Sequence, residues 1–168
     1  IPTTKSAQQL QSGIVVINNA TGDIVALAGG VGEKTDFFAY NKATQAKLQT
    51  GSVQKPLSVY APAFEKGGLS PATVIPDLPL TYDGGAWPKN DSRVYNYSRT
   101  IFQGIVSSIN AVSANTLSRI GADTGFSFAK YNFQQNYLVD SYVSSNGTPM
   151  SDIAIAPLAL GALTIGST

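Results

Sequence analysis

The sequence has 168 residues, the size of one ordinary domain and enough to bury a core. It contains no cysteine and no histidine, which excludes disulfides, thiolate nucleophiles, an ordinary zinc site and a serine–histidine–aspartate triad. With a net charge of +1 and no run of basic residues, we expect neither nucleic acid nor a lipid surface as a partner. No metal or other cofactor is expected.

A β-hairpin is predicted from Ser12 to Gly30. Two short apolar runs, Ile14 to Ile17 and Ile24 to Ala28, flank a turn-forming segment rich in Asn, Thr, Gly and Asp. Because both runs are continuous rather than alternating, we expect a sheet covered on both faces.

A helix is predicted from Ser52 to the glycine pair at 67–68, which is a C-terminal signal. Pro62 should kink this helix or shift its ends, because proline lacks the amide that a helix interior requires. The segment from Pro71 to Tyr97 is rich in Pro, Gly, Asp and Asn, and we expect it to be an irregular surface excursion.

Helical periodicity returns between Thr100 and Gly121. Its apolar stripe consists of Ile101, Ile105, Ile109, Val112, Leu117 and Ile120. A mixed segment then runs to Tyr142, and Ser-Ser-Asn-Gly at 144–147 predicts a turn. A final apolar helix is predicted from Asp152 to Ile165.

Chemistry is indicated by Ser52 and Lys55. Residues three apart share one face of a helix, and a neutral lysine can take the proton that makes a serine nucleophilic. The spacing alone is weak, because a second copy occurs at Ser127 and Lys130, where an exposed serine and lysine on a helix explain it. For Ser52 the alternative is a helix-capping serine followed by a solvated lysine.

The context of Ser52 resembles the active-serine region of penicillin-binding proteins, particularly the bifunctional class A type. Residues 40–46 read Tyr-Asn-Lys-Ala-Thr-Gln-Ala and residues 49–56 read Gln-Thr-Gly-Ser-Val-Gln-Lys-Pro. Similar to the family are also Phe-Glu-Lys-Gly at 64–67, Pro-Ala-Thr-Val-Ile-Pro-Asp at 71–77 and Trp-Pro-Lys-Asn at 87–90. The predicted hairpin lies where that family has its first two transpeptidase strands.

The family's second signature, Ser-x-Asn, occurs three times. Ser108 to Asn110 resembles the family best, because small and β-branched residues follow it and lead to a leucine and a glycine. The copies at 113–115 and 144–146 are expected to be polar residues of a helix surface or a turn.

The third signature, Lys-Thr-Gly, is missing from the 168 residues, and Lys34-Thr35-Asp36 lacks its glycine. The resemblance implies that this strand lies beyond Thr168. We therefore expect residues 1–168 to be the N-terminal part of a transpeptidase domain, comprising the first hairpin and the helical subdomain. The remaining C-terminal part, as a separate chain, a cleaved fragment or a disordered segment, is then an expected partner.

The resemblance implies an α/β (α+β) fold of the penicillin-binding and serine β-lactamase type, an antiparallel sheet flanked by helices, here incomplete. It implies a transpeptidase that cross-links peptidoglycan stem peptides and is acylated by β-lactam antibiotics. Ser52 would attack the D-Ala-D-Ala carbonyl and Lys55 would act as general base. Ser108 would relay a proton, and Asn110 would bind the substrate amide.

Three alternatives remain beside this reading. A serine β-lactamase shares the motifs but hydrolyses its acyl-enzyme, and the two glutamates, Glu33 and Glu65, lie too early for its Glu-x-x-x-Asn element. A β-lactam sensor would acylate without turnover, and a structural domain would carry the motifs by chance. The resemblance further implies a place on the extracytoplasmic face of the bacterial membrane, anchored by a segment outside this chain.

Overall fold

The computed structural model describes residues 10–33 and 37–167. They divide into a small unit, formed by the residues up to 48 with residue 167, and a helical unit spanning residues 49–166. The small unit contains the predicted hairpin, in which β1 (Ile14–Ile17) pairs antiparallel with β2 (Ile24–Ala28). The turn is closed by the Asn18 amide, which donates to the Asp23 carbonyl over 2.9 Å.

The hairpin is exposed along its whole length, at all four residues of β1 and all five of β2. The expectation of a sheet covered on both faces is therefore wrong for the chain described here. A continuous apolar strand is buried only where further elements supply a layer on each face. The described residues of the small unit form no such layers.

The helical unit begins with three consecutive helical segments. A 3₁₀ turn (Gly51–Gln54) leads into a π turn (Pro56–Tyr60) and then into helix α1 (Ala61–Glu65). The predicted helix is thus confirmed, and Pro62 lies in the first turn of α1, directly after the π turn. Gly68, with a φ of +63°, follows the last turn.

The segment predicted to be irregular contains short strands, so that prediction is wrong in part. Strand β3 (Val74–Asp77) pairs antiparallel with β6 (Tyr97–Thr100), and β4 (Leu80–Tyr82) pairs with β5 (Gly85–Trp87). Strands of three or four residues are too short for alternation to stand out among Pro, Gly and Asp. Along β3, exposed and buried residues alternate, which brings Ile75 and Asp77 into the interior.

The predicted helical stretch from 100 to 121 is present but is interrupted once. Helix α2 (Ile101–Val106) begins at a capping box, in which the Thr100 hydroxyl accepts from the Gln103 amide and the Gln103 side chain accepts from the Thr100 amide. Helix α3 (Asn110–Ile120) follows after a break at residues 107–109. Ser108 lies in the break with a φ of +49°.

The segment after Gly121 contains helical structure that the sequence pattern did not indicate. Helix α4 (Ala122–Ser127) runs into a second π turn (Phe128–Asn132). The turn predicted at 144–147 is confirmed, because these residues join β7 (Tyr142–Val143) to β8 (Pro149–Met150).

The last helix, α5 (Ile155–Leu160), is shorter than the predicted range of 152–165. It ends at Gly161, which has a φ of +71°. Asp152 lies before the helix as a buried side chain that accepts hydrogen bonds from the Thr164 amide and hydroxyl. These bonds hold the two flanks of α5 in a non-helical conformation.

Helix α3 lies at the centre of the helical unit. Six of its residues are buried: Ala111, Val112, Ser113, Ala114, Thr116 and Leu117. The surrounding core includes Val59, Ala63, Ile75, Ile101, Phe126, Leu138 and Leu158. The Ser113 hydroxyl donates to the Ala159 carbonyl over 2.9 Å, which ties α3 to α5. The N-terminus of α3 is therefore a rigid position for Asn110.

Candidate active site

Ser52 lies in the 3₁₀ turn and is exposed to solvent. The turn is anchored to the end of α5, because the Gly51 amide donates to the Gly161 carbonyl over 3.3 Å. A Cβ on Gly161 would lie 2.6 Å from Thr50 Oγ1, so a larger residue there has no room. The backbone that carries Ser52 is thus held by close contact with the last helix.

Lys55 lies one turn further, and its side chain is among the largest that are fully buried. Its ammonium donates to three oxygens of the Ser-x-Asn segment. The distances are 2.8 Å to the Ser108 carbonyl, 3.1 Å to Ser108 Oγ and 2.6 Å to Asn110 Oδ1. Two motifs more than fifty residues apart in sequence therefore meet at one nitrogen.

Burial lowers the pKa of the Lys55 ammonium from its ordinary value of 10.5 to about 8. Within the described ranges no carboxylate pairs with this ammonium, and its three partners are neutral oxygens. Desolvation disfavours the charged form of a lysine and is not offset here by an opposite charge. The neutral amine is therefore more populated near neutral pH than it is for an exposed lysine.

Ser52 is next to this cluster but not part of its hydrogen-bond network. The Lys55 amide donates to the Ser52 carbonyl, as a helical turn requires, whereas the two side chains make no hydrogen bond with each other. Of the predicted site residues, the structure thus joins Lys55, Ser108 and Asn110 directly. Catalytic hydrogen bonds are often long before substrate binds, so this arrangement is compatible with a Ser52 nucleophile.

The break between α2 and α3 gives Ser108 its position. The Ser108 amide donates to the Ile105 carbonyl and the Ile109 amide to the Gly104 carbonyl, so the end of α2 is closed by backbone bonds. With a left-handed backbone at Ser108, both its carbonyl and its hydroxyl reach Lys55 Nζ. A regular helix through 108 would instead use that carbonyl for its own hydrogen bond.

The Asn110 side chain is held from two directions. Its Oδ1 accepts from Lys55, and its Nδ2 donates to the Lys89 carbonyl over 2.9 Å. The reverse orientation of the amide would place donor against donor and acceptor against acceptor, so the network admits one orientation.

Two residues around the site were not assigned a role from sequence, Asp77 and Asn90. Both are buried: Asn90 accepts from the Ala111 amide at the start of α3, and Asp77 accepts from the Asn90 side chain. Asn90 lies in the Trp-Pro-Lys-Asn run that resembles the family. Nothing in that run indicated the contact that Asn90 makes, because its partner lies in helix α3, which begins 20 residues further along the chain.

The other motif copies lie outside the Lys55 cluster, but Ser113 is fully buried and not on the helix surface where the sequence placed it. Ser127 is exposed, and the Lys130 ammonium lies 5.1 Å from the centre of the Phe126 ring. Ser113 bonds to α5, and Asn115 donates to the carbonyls of Leu78 and Ala111. The copy at 144–146 lies in the turn between β7 and β8. The Lys-Thr-Asp sequence at 34–36 falls outside the described residues.

A polar cleft of about 480 Å³ reaches Ser108. Its lining includes Asp77, Asn90, Asp91, Asn96, Arg99 and Gln103. Neither Ser52 nor Lys55 lines this cleft. Over the described residues, no three acidic, histidine or cysteine side chains lie together as metal ligands would.

Comparison with known proteins agrees with the geometry. Residues 12–167 match the family model of the penicillin binding protein transpeptidase domain. Penicillin-binding protein 1F of Bacillus subtilis (strain 168) is 34% identical over 161 residues, covering 95% of this chain and 20% of that protein. Penicillin-binding protein 1A of Clostridium tetani is 27% identical over 157 residues, which cover 89% of this chain and 19% of that protein. The chain thus spans about a fifth of the length of these curated relatives.

Solved structures agree as well. Penicillin-binding protein 1A from Haemophilus influenzae superimposes with a TM-score of 0.65 at 26% identity, covering 88% of this chain and 22% of that one. PonA1 from Mycobacterium tuberculosis gives a TM-score of 0.63 over 91% of this chain and 39% of that one; its 22% identity supports the fold alone. The expected fold class is confirmed, and the chain belongs to the penicillin-binding protein transpeptidase family.

Proposed function

We propose that this chain is part of a serine D-Ala-D-Ala transpeptidase that cross-links peptidoglycan stem peptides. It would carry the serine that becomes acylated. The observation that supports this most directly is the buried Lys55 nitrogen held by Ser108 and Asn110. A lysine with a lowered pKa beside an exposed serine is one of the few bases available to a chain without histidine. Membership of the transpeptidase family supports the same class of reaction.

In the first step, the Ser52 hydroxyl attacks the carbonyl carbon of the penultimate D-alanine. A bond forms between Ser52 Oγ and that carbon, and the hydroxyl proton passes to the neutral Lys55 amine. Ser108, whose hydroxyl contacts Lys55 Nζ, passes a proton on to the departing nitrogen and is reprotonated from Lys55. The carbon–nitrogen bond breaks and the terminal D-alanine leaves.

In the second step, the amine of a neighbouring stem peptide, or water, opens the acyl-enzyme. The incoming group loses a proton to the same Lys55–Ser108 pair, the bond to Ser52 Oγ breaks, and the serine regains its proton. Asn110 hydrogen-bonds the substrate amide through its side chain. The Ser52 backbone amide contributes one donor to the oxyanion hole, and the Lys-Thr-Gly part of the domain contributes the other.

β-Lactams present a strained amide in place of the D-Ala-D-Ala bond, and they acylate the same serine. The departing nitrogen stays attached through the ring system, so it continues to obstruct the acyl-enzyme. The adduct therefore persists, which makes a penicillin a convenient probe of the first step alone.

We further propose that the whole protein acts on the extracytoplasmic face of the bacterial membrane, where its substrate is. Among the residues that the structure describes, no helix is long and apolar enough to cross a bilayer. The anchor would be a segment outside this chain. The C-terminal part of the domain would supply the Lys-Thr-Gly strand.

The test is covalent labelling of the full-length protein with a penicillin, followed by mass spectrometry of its peptides. We expect a penicilloyl adduct on the peptide that contains Ser52, and none in a Ser52→Ala variant. Labelling of the wild-type protein at another serine, or unchanged labelling of the variant, would overturn the assignment. Rapid release of the adduct by water would instead indicate a β-lactamase.

A further inference from the structure

The residue at the N-cap of helix α3 provides no side-chain hydrogen bond to the first amides of the helix. Ile109 precedes the helix and its side chain accepts no hydrogen bond, although the first amides of a helix lack intrahelical partners. Asn90 supplies the missing acceptor from another segment, since its Oδ1 lies 2.9 Å from the Ala111 amide. A side chain from outside the helix thus does what a cap residue would do locally.

Asn90 itself is fixed by a buried carboxylate. Its Nδ2 donates to Asp77 Oδ1 over 2.7 Å and to the Val94 carbonyl over 2.9 Å. The other oxygen of Asp77 accepts from the backbone amide and the side chain of Asn96. Asp77 is fully buried and Asn90 nearly so, which makes these charge-assisted bonds strong and permits a single orientation of the Asn90 amide.

The residue before Asn90 completes the arrangement. The Lys89 carbonyl accepts from Asn110 Nδ2, and the Asn90 side chain accepts from the backbone amide of the next residue, 111. Two adjacent residues therefore hold the start of α3. We propose that Asn90, anchored by Asp77, is a positioning residue that sets the orientation of Asn110 toward the substrate amide and toward Lys55. This inference rests on the proposed function.

Asn115 provides a control for the general loss of side-chain hydrogen bonds to helix α3. Asn115 lies on the same helix and, like Asn90, makes two hydrogen bonds through its Nδ2, to the carbonyls of Leu78 and Ala111. Its side-chain amide donates to neither Lys55 nor the Asn110 side chain. An Asn115→Leu variant therefore removes comparable bonds from α3 and leaves the site in place.

The experiment compares two penicillins on the full-length protein. Benzylpenicillin carries the acylamino group that Asn110 would bind, whereas the penicillin nucleus without its acyl side chain lacks that group. Acylation rate constants are measured for the wild-type protein and for Asn90→Leu, Asn90→Ser, Asn110→Ala and Asn115→Leu. Rate constants, unlike final amounts of adduct, are unaffected by a fraction of unfolded protein.

The readout is the ratio of the two rate constants, benzylpenicillin over nucleus. For Asn90→Leu and Asn90→Ser we expect this ratio to fall about fivefold, in the direction of Asn110→Ala, because one substrate hydrogen bond is misaligned. Asn115→Leu should keep the wild-type ratio even where it lowers the melting temperature.

Two results would overturn the proposal. One is an unchanged ratio in both Asn90 variants while the wild-type protein is labelled at Ser52. The other is an equal fall in the ratio for Asn115→Leu, since that would reflect general loosening of α3. A wild-type protein that no penicillin labels would refute the proposed function itself, and this inference with it.

Discussion

The role that we propose for Lys55 depends on how its side chain is buried. Three neutral oxygens satisfy its hydrogen bonds, so the side chain is accommodated in the interior without the opposite charge that would keep it protonated. Desolvation of the buried ammonium lowers its pKa to about 8, close enough to neutrality for the general base that we propose. An exposed lysine at the same spacing would remain an ammonium.

The first prediction concerns the pH dependence of acylation. In the proposed mechanism Lys55 must be neutral to accept the Ser52 proton, so the rate should rise with pH and level off above an apparent pKa of about 8. A Lys55→Arg variant keeps the charge, cannot lose its proton, and should acylate about a hundredfold more slowly or worse. The measurement is the labelling rate with a fluorescent penicillin across the pH range; a flat profile for the wild-type protein would contradict the assignment.

The second prediction concerns stability. The folded-state pKa of Lys55 lies below the unfolded value of 10.5, so between these two values the unfolded chain binds more protons and stability rises with pH. Below about pH 8 both states are protonated and this group contributes no further change. Relative to a Lys55→Met variant, the wild-type melting temperature should increase from neutral to alkaline pH, as calorimetry of the full-length protein would show. A constant difference between the two proteins would contradict it.

At the scale of elements, the interruption between α2 and α3 decides the shape of the site. Sequence periodicity predicted one helical stretch, and both Ile101 and Val112 are buried as expected. Ile105 of the same apolar stripe is 40% exposed, because α2 ends just after it. The pattern could not show the break, since a serine with a positive φ is a response to tertiary contacts and not a local preference.

The third prediction tests how closely the helices approach near the site. Helix α4 packs its Gly125 against the π turn, where an added Cβ would contact the Ser58 carbonyl and lie 2.6 Å from Leu117 Cδ1. Gly125→Ala should therefore destabilise the domain by about 1–3 kcal/mol. Gly85→Ala is the control, because its Cβ would meet nothing nearer than 3.8 Å. Thermal unfolding of both variants measures the effect, and equal melting temperatures would show that the contact relaxes freely.

At the scale of the whole molecule, the exposed hairpin is the feature that most needs explanation. Ile24 and Val25 are adjacent, point to opposite faces, and are 62% and 61% exposed. Apolar side chains on both faces of a strand are typical of a sheet covered by helices. That the C-terminal part of the domain provides this cover remains a prediction.

The fourth prediction follows from that arrangement. In the full-length protein, Val25→Glu should destabilise the domain by about 2 kcal/mol or more, because the carboxylate would be buried without a partner. Val143→Glu is the matched control, a valine with 64% exposure that lies opposite Pro149 in the two-stranded pair of β7 and β8. It should change stability by about 0.5 kcal/mol or less. Equal effects of the two substitutions would mean that the hairpin stays exposed in the whole protein.

By itself, the sequence determined the family that the chain resembles and the residues to which we assign the proposed reaction. The absence of histidine, the Ser52–Lys55 spacing and the Ser108–Asn110 pair are local features, and they are readable because the reaction requires those residue types at those intervals. The tertiary structure decided which copies of the motifs meet, how far the pKa of Lys55 falls, and that Asn90 holds the start of α3. These depend on burial and on hydrogen bonds between distant segments, which no local pattern encodes.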